Sequence, residues 1–145
     1  MAEIGHGGKE IKERILQPAE AKEKIKGLTE IPIRRQLANE VIGISYGFFT
    51  PLEGFMNKAD VDAVVNKMQL ADGTIWSIPI LFDLSDKEVA DYGAAPGKTV
   101  VLTYQGNPMA LFEIEEVFDY DKKAMAKSIF GTDEDKHPGC KRIYE

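Results

Sequence analysis

The order of residue patterns along the chain predicts an α+β fold in which helices come first, antiparallel strands follow and a helix comes last. In the first part, apolar residues recur at helical spacing, whereas Thr99–Tyr104 and Met109–Phe118 alternate as strands do. The chain has 145 residues, of which 43% are hydrophobic and 29% are charged, as expected of one folded domain. We therefore expect a small sheet or partly closed barrel with flanking helices.

Two short helices are predicted after a glycine-rich start, residues 1–8, that we expect to be loose. The first begins at Pro18, a residue that suits the first turn of a helix, and stops before Gly27. The second is indicated by apolar residues at helical spacing, Leu37, Val41 and Ile44. Either Gly43 or Gly47 is expected to close it.

The run GFFTPLEGFM, at Gly47–Met56, joins the second helix to a third. Its three Phe residues are too apolar for a solvated loop, whereas Gly47, Pro51 and Gly54 would interrupt a helix or a strand. We therefore expect a buried connection whose aromatic rings fill a core while its glycines let the backbone turn.

The third helix is the clearest amphipathic segment of the chain. Asn57 is predicted to cap its N-terminus, with Asp60 at the position of a capping box. Its apolar residues recur at helical spacing at Val61, Val64, Val65 and Met68. We expect the helix to end near Leu70, before a turn at residues 71–73.

Strand patterns then replace the helical ones. Ile75–Leu84 is dense in β-branched and aromatic residues and is predicted to be a strand. Thr99–Tyr104 and Met109–Phe118 are predicted to form an antiparallel hairpin. Gly106-Asn107 is expected at the centre of its turn.

A last helix is predicted from Asp121 to Gly131, followed by an acidic connector that begins GTDEDKHPG. This connector carries the residues that come nearest to a metal-ligand cluster, Asp133, Glu134, Asp135, His137 and Cys140. Their spacing matches no calcium-binding loop, and a single cysteine cannot build a structural zinc site. We therefore predict no metal site.

Patterns typical of catalysis are sparse. Gly97-Lys98-Thr99 matches only the end of a phosphate-binding loop, and Tyr92 stands where the first glycine of that loop belongs. The pair Arg34-Arg35 could bind an anion but is more typical of a protein surface. Three glutamates, Glu113, Glu115 and Glu116, lie on a strand face that we expect to be solvated. We assign no catalytic and no cofactor-binding residue.

Net charge excludes some classes of partner. A charge of −6 and an isoelectric point near 5.0 argue against sequence-independent binding of nucleic acid or anionic membranes. No apolar run approaches the ~20 residues of a membrane span. The first residues lack the apolar core of a signal peptide. These features predict a cytoplasmic domain that binds neither nucleic acid nor membrane.

Three longer motifs carry a family resemblance. They are GFFTPLEGFM at Gly47–Met56, LADGTIWSIPILFDL at Leu70–Leu84 and FGTDEDKHPG at Phe130–Gly139. In order and spacing they resemble the N-terminal domain of ATP sulfurylases (sulfate adenylyltransferases), and His6-Gly7-Gly8 is similar to that family's HGG. The resemblance covers nearly the whole chain. It implies a single PUA-like domain over residues 1–145, a pseudo-barrel of mostly antiparallel strands with flanking helices.

The family's reaction converts ATP, bound as its Mg²⁺ complex, and sulfate into adenylyl sulfate and pyrophosphate. In that family the reacting groups belong to a following catalytic domain with Q-x-R-N-P-x-H-x-x-H and G-R-D-H motifs, and neither string occurs here. The chain's two histidines, His6 and His137, stand too far apart to represent the first motif in a diverged form.

The resemblance therefore implies a non-catalytic module that binds no cofactor, packs against a catalytic domain and supports homo-oligomer assembly. Residues 131–145 would be a severed connection toward that missing domain, in a fragment or a separate chain. The alternative is a stand-alone PUA-like module that binds RNA or another ligand. The acidic charge and the lack of a basic stripe count against this alternative.

Overall fold

The computed structural model describes residues 2–145, and these residues form six α-helices, a short 3₁₀ turn at His6–Gly8 and a three-stranded sheet. The α+β class is confirmed. In chain order the elements are α1 (Pro18–Lys24), β1 (Thr29–Pro32), α2 (Arg35–Ser45), α3 (Lys58–Lys67), α4 (Asp86–Tyr92), β2 (Thr99–Tyr104), β3 (Asn107–Glu113), α5 (Lys122–Phe130) and α6 (Pro138–Tyr144).

The chain divides into two compact units. The first unit comprises residues 2–55 and 82–117 and holds the sheet with α1, α2 and α4. The second comprises residues 56–81 and 118–145 and holds α3, α5 and α6. The assignment of all 145 residues to one domain stays a prediction.

The sheet of the first unit is mixed and has the order β1-β2-β3. β1 runs parallel to β2, with Thr29 opposite Val100, and β2 pairs with β3 in an antiparallel hairpin. The sequence patterns did not predict β1, because four residues are too few to show alternation. The expectation of mostly antiparallel strands in a pseudo-barrel is corrected to an open mixed sheet, since these three strands do not close on themselves.

The core of the first unit lies around β2. Val100–Thr103 are buried in succession, so both faces of the central strand are covered, not only the one predicted from alternation. The buried cluster comprises Ile31, Ile33, Leu37, Ala38, Val41, Val100, Leu102 and Ile114. Three rings pack against this cluster, those of Phe55, Phe82 and Phe112, with centroids 5.0 to 5.6 Å apart.

The predicted strand at Ile75–Leu84 was wrong. Within it, Ile75 forms an isolated bridge with Gln69, and none of its residues belongs to the sheet. Pro79 has no N–H to donate to a ladder, which weakens any strand through this segment. The apolar residues at the C-terminal end of this segment serve core packing instead, since Phe82 packs against the core of the first unit.

The hairpin turn lies one residue earlier than predicted. Gln105 and Gly106 have φ angles of 51° and 78°, and Asn107 already belongs to β3. Positive φ at both central residues is the geometry of a two-residue type I′ turn. The expected strand Met109–Phe118 is correspondingly shifted, because β3 spans Asn107–Glu113.

The second unit contains the three remaining helices. Asn57 caps α3 as predicted, since its side chain accepts a hydrogen bond from the Asp60 N–H. The Asp60 carboxylate accepts from the Ala71 N–H at 2.8 Å, so the predicted capping box was wrong. The buried residues of this unit are Met56, Val61, Val64, Leu70, Met125, Ala126 and Cys140.

Both ends of the last predicted helix are confirmed. Asp121 accepts hydrogen bonds from two N–H groups of the first turn of α5, and Gly131 ends the helix with a φ of 73°. Residues 131–145, expected to be a connection, contain a further helix, α6, which the sequence patterns did not show. Pro138 begins it, because proline at the first helical position leaves no intrahelical hydrogen bond unmade.

Candidate functional site

The run GFFTPLEGFM forms a compact turn after α2. Gly47 adopts a φ of 72°, and the Thr50 hydroxyl donates to the Gly47 carbonyl at 2.6 Å. Phe49 packs so closely against Gly43 that a Cβ there would lie 2.9 Å from the ring. The expectation of a buried connection is confirmed at Thr50 but wrong at Phe48, whose side chain is 75% exposed. Gly47, Thr50 and Phe49 thus shape and pack this turn, whereas the Phe48 ring is left on the surface.

Arg34, which the sequence suggested as an anion-binding or surface residue, is an ion-pair partner in the first unit. Its Nη2 lies 2.9 Å from Oδ1 of Asp83, a side chain that is only 13% exposed. Asp83 belongs to the motif LADGTIWSIPILFDL. The pair therefore joins the end of that motif to the residue that precedes α2. Sequence reasoning missed it because the partners are 49 residues apart.

Glu40, one helical turn after Gln36 on α2, is influenced electrostatically by both members of this ion pair. Gln36 donates to its Oε1 at 3.2 Å, whereas its Oε2 is buried and has no hydrogen-bond partner among residues 2–145. Burial raises the pKa of Glu40, against the lowering influence of the Gln36 hydrogen bond and the Arg34 charge. Arg34, Asp83 and Glu40 thus place one cation near two carboxyls.

The loop that carries Gly97-Lys98-Thr99 closes the connection between α4 and β2. The Lys98 ammonium donates to the carbonyl of Tyr92, and Gly93 ends α4 in the left-handed region at φ 57°. Thr99 is the first residue of β2. The loop thus has the features of a helix-to-strand turn, and Lys98 links it back to the end of α4.

Ser85 begins α4 with a capping box that the sequence analysis missed. The Glu88 carboxylate accepts from the N–H and the hydroxyl of Ser85, while the Ser85 hydroxyl accepts from the Glu88 N–H. These hydrogen bonds lower the pKa of Glu88, because they favour its charged form. The signal was present as Ser-x-x-Glu, directly after the apolar segment.

The acidic segment after α5 uses its polar residues to hold α6. His137 caps that helix, since its Nδ1 accepts from the Gly139 N–H at 3.2 Å, and its ring lies 4.9 Å from the Phe130 ring. The Cys140 thiol is buried and donates to the Thr132 carbonyl at 3.2 Å. Burial raises the pKa of this thiol, which opposes a nucleophilic role.

These candidates do not assemble into a ligand sphere. Across residues 2–145, no three His, Cys, Asp or Glu side chains come together in a way that could hold a metal ion. In the same range, no helix has the length and apolar character that crossing a membrane requires.

Comparison with known proteins places these features in a family context. A family model described as a PUA-like domain matches residues 4–145. Among solved structures, the chain is similar to one titled "Hexameric APS kinase from Thiobacillus denitrificans", with a TM-score of 0.69 and 27% identity. That similarity covers 81% of this chain and 24% of the other.

Curated relatives carry the name sulfate adenylyltransferase. The protein of Cenarchaeum symbiosum is 42% identical over 117 residues, which are 81% of this chain and 31% of the relative. The protein of Halothermothrix orenii is 37% identical over 145 residues, which are 97% of this chain and 37% of the relative. The chain thus spans about a third of the length of the curated relatives it matches.

Proposed function

We propose, given that this chain belongs to the PUA-like domain family, that it serves as a non-catalytic domain of a sulfate adenylyltransferase. The observation that carries the proposal is the match to enzymes of that name over 81% and 97% of the chain. Each match leaves about two-thirds of the relative outside it. We propose that the reaction is carried out by the two-thirds of the enzyme that lie outside the match.

The chemistry of the reaction supports placing the catalytic groups outside this chain. Sulfate that attacks the α-phosphate of ATP brings two anions together, so a catalytic site needs several cationic or hydrogen-bonding groups aimed at one place. This chain has a net charge of −6, and the Arg34 and Lys98 side chains are held by Asp83 and by a carbonyl. We accordingly assign no catalytic residue and no cofactor to it. ATP with Mg²⁺ is the proposed substrate of the full enzyme.

Packing against the catalytic domain, and support of homo-oligomer assembly through that domain, are the proposed roles. The description of the similar solved structure as hexameric favours an assembly role, although it speaks of that protein only. A cytoplasmic location belongs to the same proposal, because the proposed reaction consumes ATP.

The absence of catalysis is tested by sulfate-dependent exchange of labelled pyrophosphate into ATP. We expect this chain alone to give the background rate, with the Halothermothrix orenii enzyme as the active control. Exchange clearly above background, and dependent on sulfate, would refute a non-catalytic role.

The structural role is tested by binding. The part of the Halothermothrix orenii enzyme that lies outside the match is purified separately, its folding is verified by circular dichroism, and it is titrated with this chain. We expect a complex with this part and none with a mixed-sequence single-stranded RNA. Binding to the RNA without binding to the protein would favour the stand-alone module instead.

A further inference from the structure

Five large apolar side chains of the first unit stay exposed around the end of α2. We call them the α2-end patch: Ile15, Leu16, Ile42, Tyr46 and Phe48. Tyr46 lies one helical turn after Ile42, and its ring stacks on that of Phe48 with centroids 6.0 Å apart. The Arg14 N–H donates to the Ser45 carbonyl at 2.7 Å, which brings the segment with Ile15 and Leu16 to the same helix end.

The backbone fixes the most exposed member of this patch. The Phe48 N–H donates to the Gly43 carbonyl at 2.8 Å, and Gly47 turns the chain in the left-handed region. A Cβ on Gly47 would lie 2.7 Å from the Ile11 side chain and 3.1 Å from the Lys12 carbonyl oxygen. Phe49 is thereby directed against Gly43, and Phe48 is held outward.

A cluster of exposed apolar side chains on a rigid turn is typical of a protein interface. Clustered exposed apolar side chains mark binding surfaces, and aromatic side chains supply much of the binding energy at interface centres. The turn restricts the backbone of Phe48 before any partner arrives, so little ordering entropy remains to be lost on binding. Beside the patch, Arg14 and Glu53 form an ion pair at 3.2 Å, a polar contact such as interface rims carry.

We propose that the α2-end patch is the surface on which the catalytic part of the enzyme docks, an inference that rests on the proposed function. The relatives carry about two-thirds of their length outside the match, enough chain for a further domain with an apolar face. A second copy of this chain is disfavoured as occupant, because two chains of charge −6 repel each other. Because the α2-end patch consists of aliphatic and aromatic side chains, it suits an apolar protein surface better than the phosphate backbone of a nucleic acid.

The test compares two substitutions at equally exposed apolar residues. Phe48 and Ile75 are both 75% exposed, but Ile75 lies in the second unit and outside the patch. We expect Phe48→Ser to weaken binding of the Halothermothrix orenii catalytic part by at least about tenfold, as loss of an aromatic hot spot does. Ile75→Ser should leave the dissociation constant unchanged. Circular dichroism melting verifies that each variant is folded, and Ile42→Ser replaces Phe48→Ser if that variant is not.

Each result decides between the two proposals. Wild-type binding that both patch variants leave unchanged, or that Ile75→Ser alone weakens, would overturn the docking surface and leave the proposed function standing. Failure of the wild-type chain to bind the folded catalytic part would remove the proposed function and the docking surface with it. Sedimentation that shows self-association of this chain, abolished by Phe48→Ser, would assign the patch to a second copy.

Discussion

Single glycines determine where two aromatic rings of this protein can lie. A Cβ at Gly43 would stand 2.9 Å from the Phe49 ring, and a Cβ at Gly139 would stand 2.5 Å from the Phe130 ring. Neither glycine has a positive φ, so both are needed for space and not for backbone freedom. The sequence displays these glycines inside conspicuous motifs, but their ring partners become visible only when the chain is folded.

Gly139→Ala is therefore expected to destabilise the protein. The new methyl group would overlap the Phe130 ring, and overpacking of this kind costs roughly 1–3 kcal/mol. The free energy of unfolding is measured by urea titration with circular dichroism.

Gly54→Ala is the matched control, since a Cβ at Gly54 meets no atom within 4 Å and its φ is not positive. We expect that variant to change stability by less than about 0.5 kcal/mol. Equal losses in the two variants would contradict the steric explanation.

At the scale of elements, the sequence was most informative where local chemistry decides the structure. The caps of α3 and α5 were predicted correctly because one side chain and its own helix are sufficient to form them. The segment Ile75–Leu84 was misassigned because its β-branched residues suit packing as well as they suit a ladder. The hairpin was predicted, but its turn centre was displaced by one residue to Gln105-Gly106.

The turn offers an element-scale prediction. Gln105 lies in the left-handed region at φ 51°, where asparagine is better tolerated than glutamine. We expect Gln105→Asn to raise the free energy of unfolding by a few tenths to about 1 kcal/mol. Gln105→Val should lower it, because a β-branched side chain is poorly accommodated at positive φ. Urea titration of both variants checks the two signs, and stabilisation by valine would show that the turn differs from the one described.

At the scale of the whole molecule, the fold class and the family could be predicted from the sequence, but the arrangement of the sheet could not. The helix-strand-helix order and the alternation around Thr99–Tyr104 were sufficient for the α+β class. The parallel pairing of β1 with β2 joins residues about seventy positions apart, such as Thr29 and Val100. No local pattern encodes that pairing, which depends on what the rest of the chain buries.

Amide hydrogen exchange across the molecule tests this arrangement. In the first unit, β2 lies between β1 and β3, and Val100, Val101 and Leu102 are at most 1% exposed. We expect their N–H groups to exchange slowest in that unit, by global unfolding, and those of the exposed residues 15–17 to exchange fast. Exchange at β2 as fast as at β3 would contradict the central position of β2. Two-dimensional NMR of the chain in D₂O provides the measurement.

The candidate site likewise has some properties that the sequence determines and others that only the fold decides. The sequence by itself determined the acidic charge of −6, the α+β class and the motifs that resemble sulfate adenylyltransferases, because these depend on composition and local order. Tertiary structure alone decided that Arg34 pairs with Asp83, that a buried Glu40 oxygen has no hydrogen-bond partner within residues 2–145 and that Phe48 faces outward. Those properties depend on contacts between residues that are far apart in the sequence, and such contacts produce no periodic pattern along the chain.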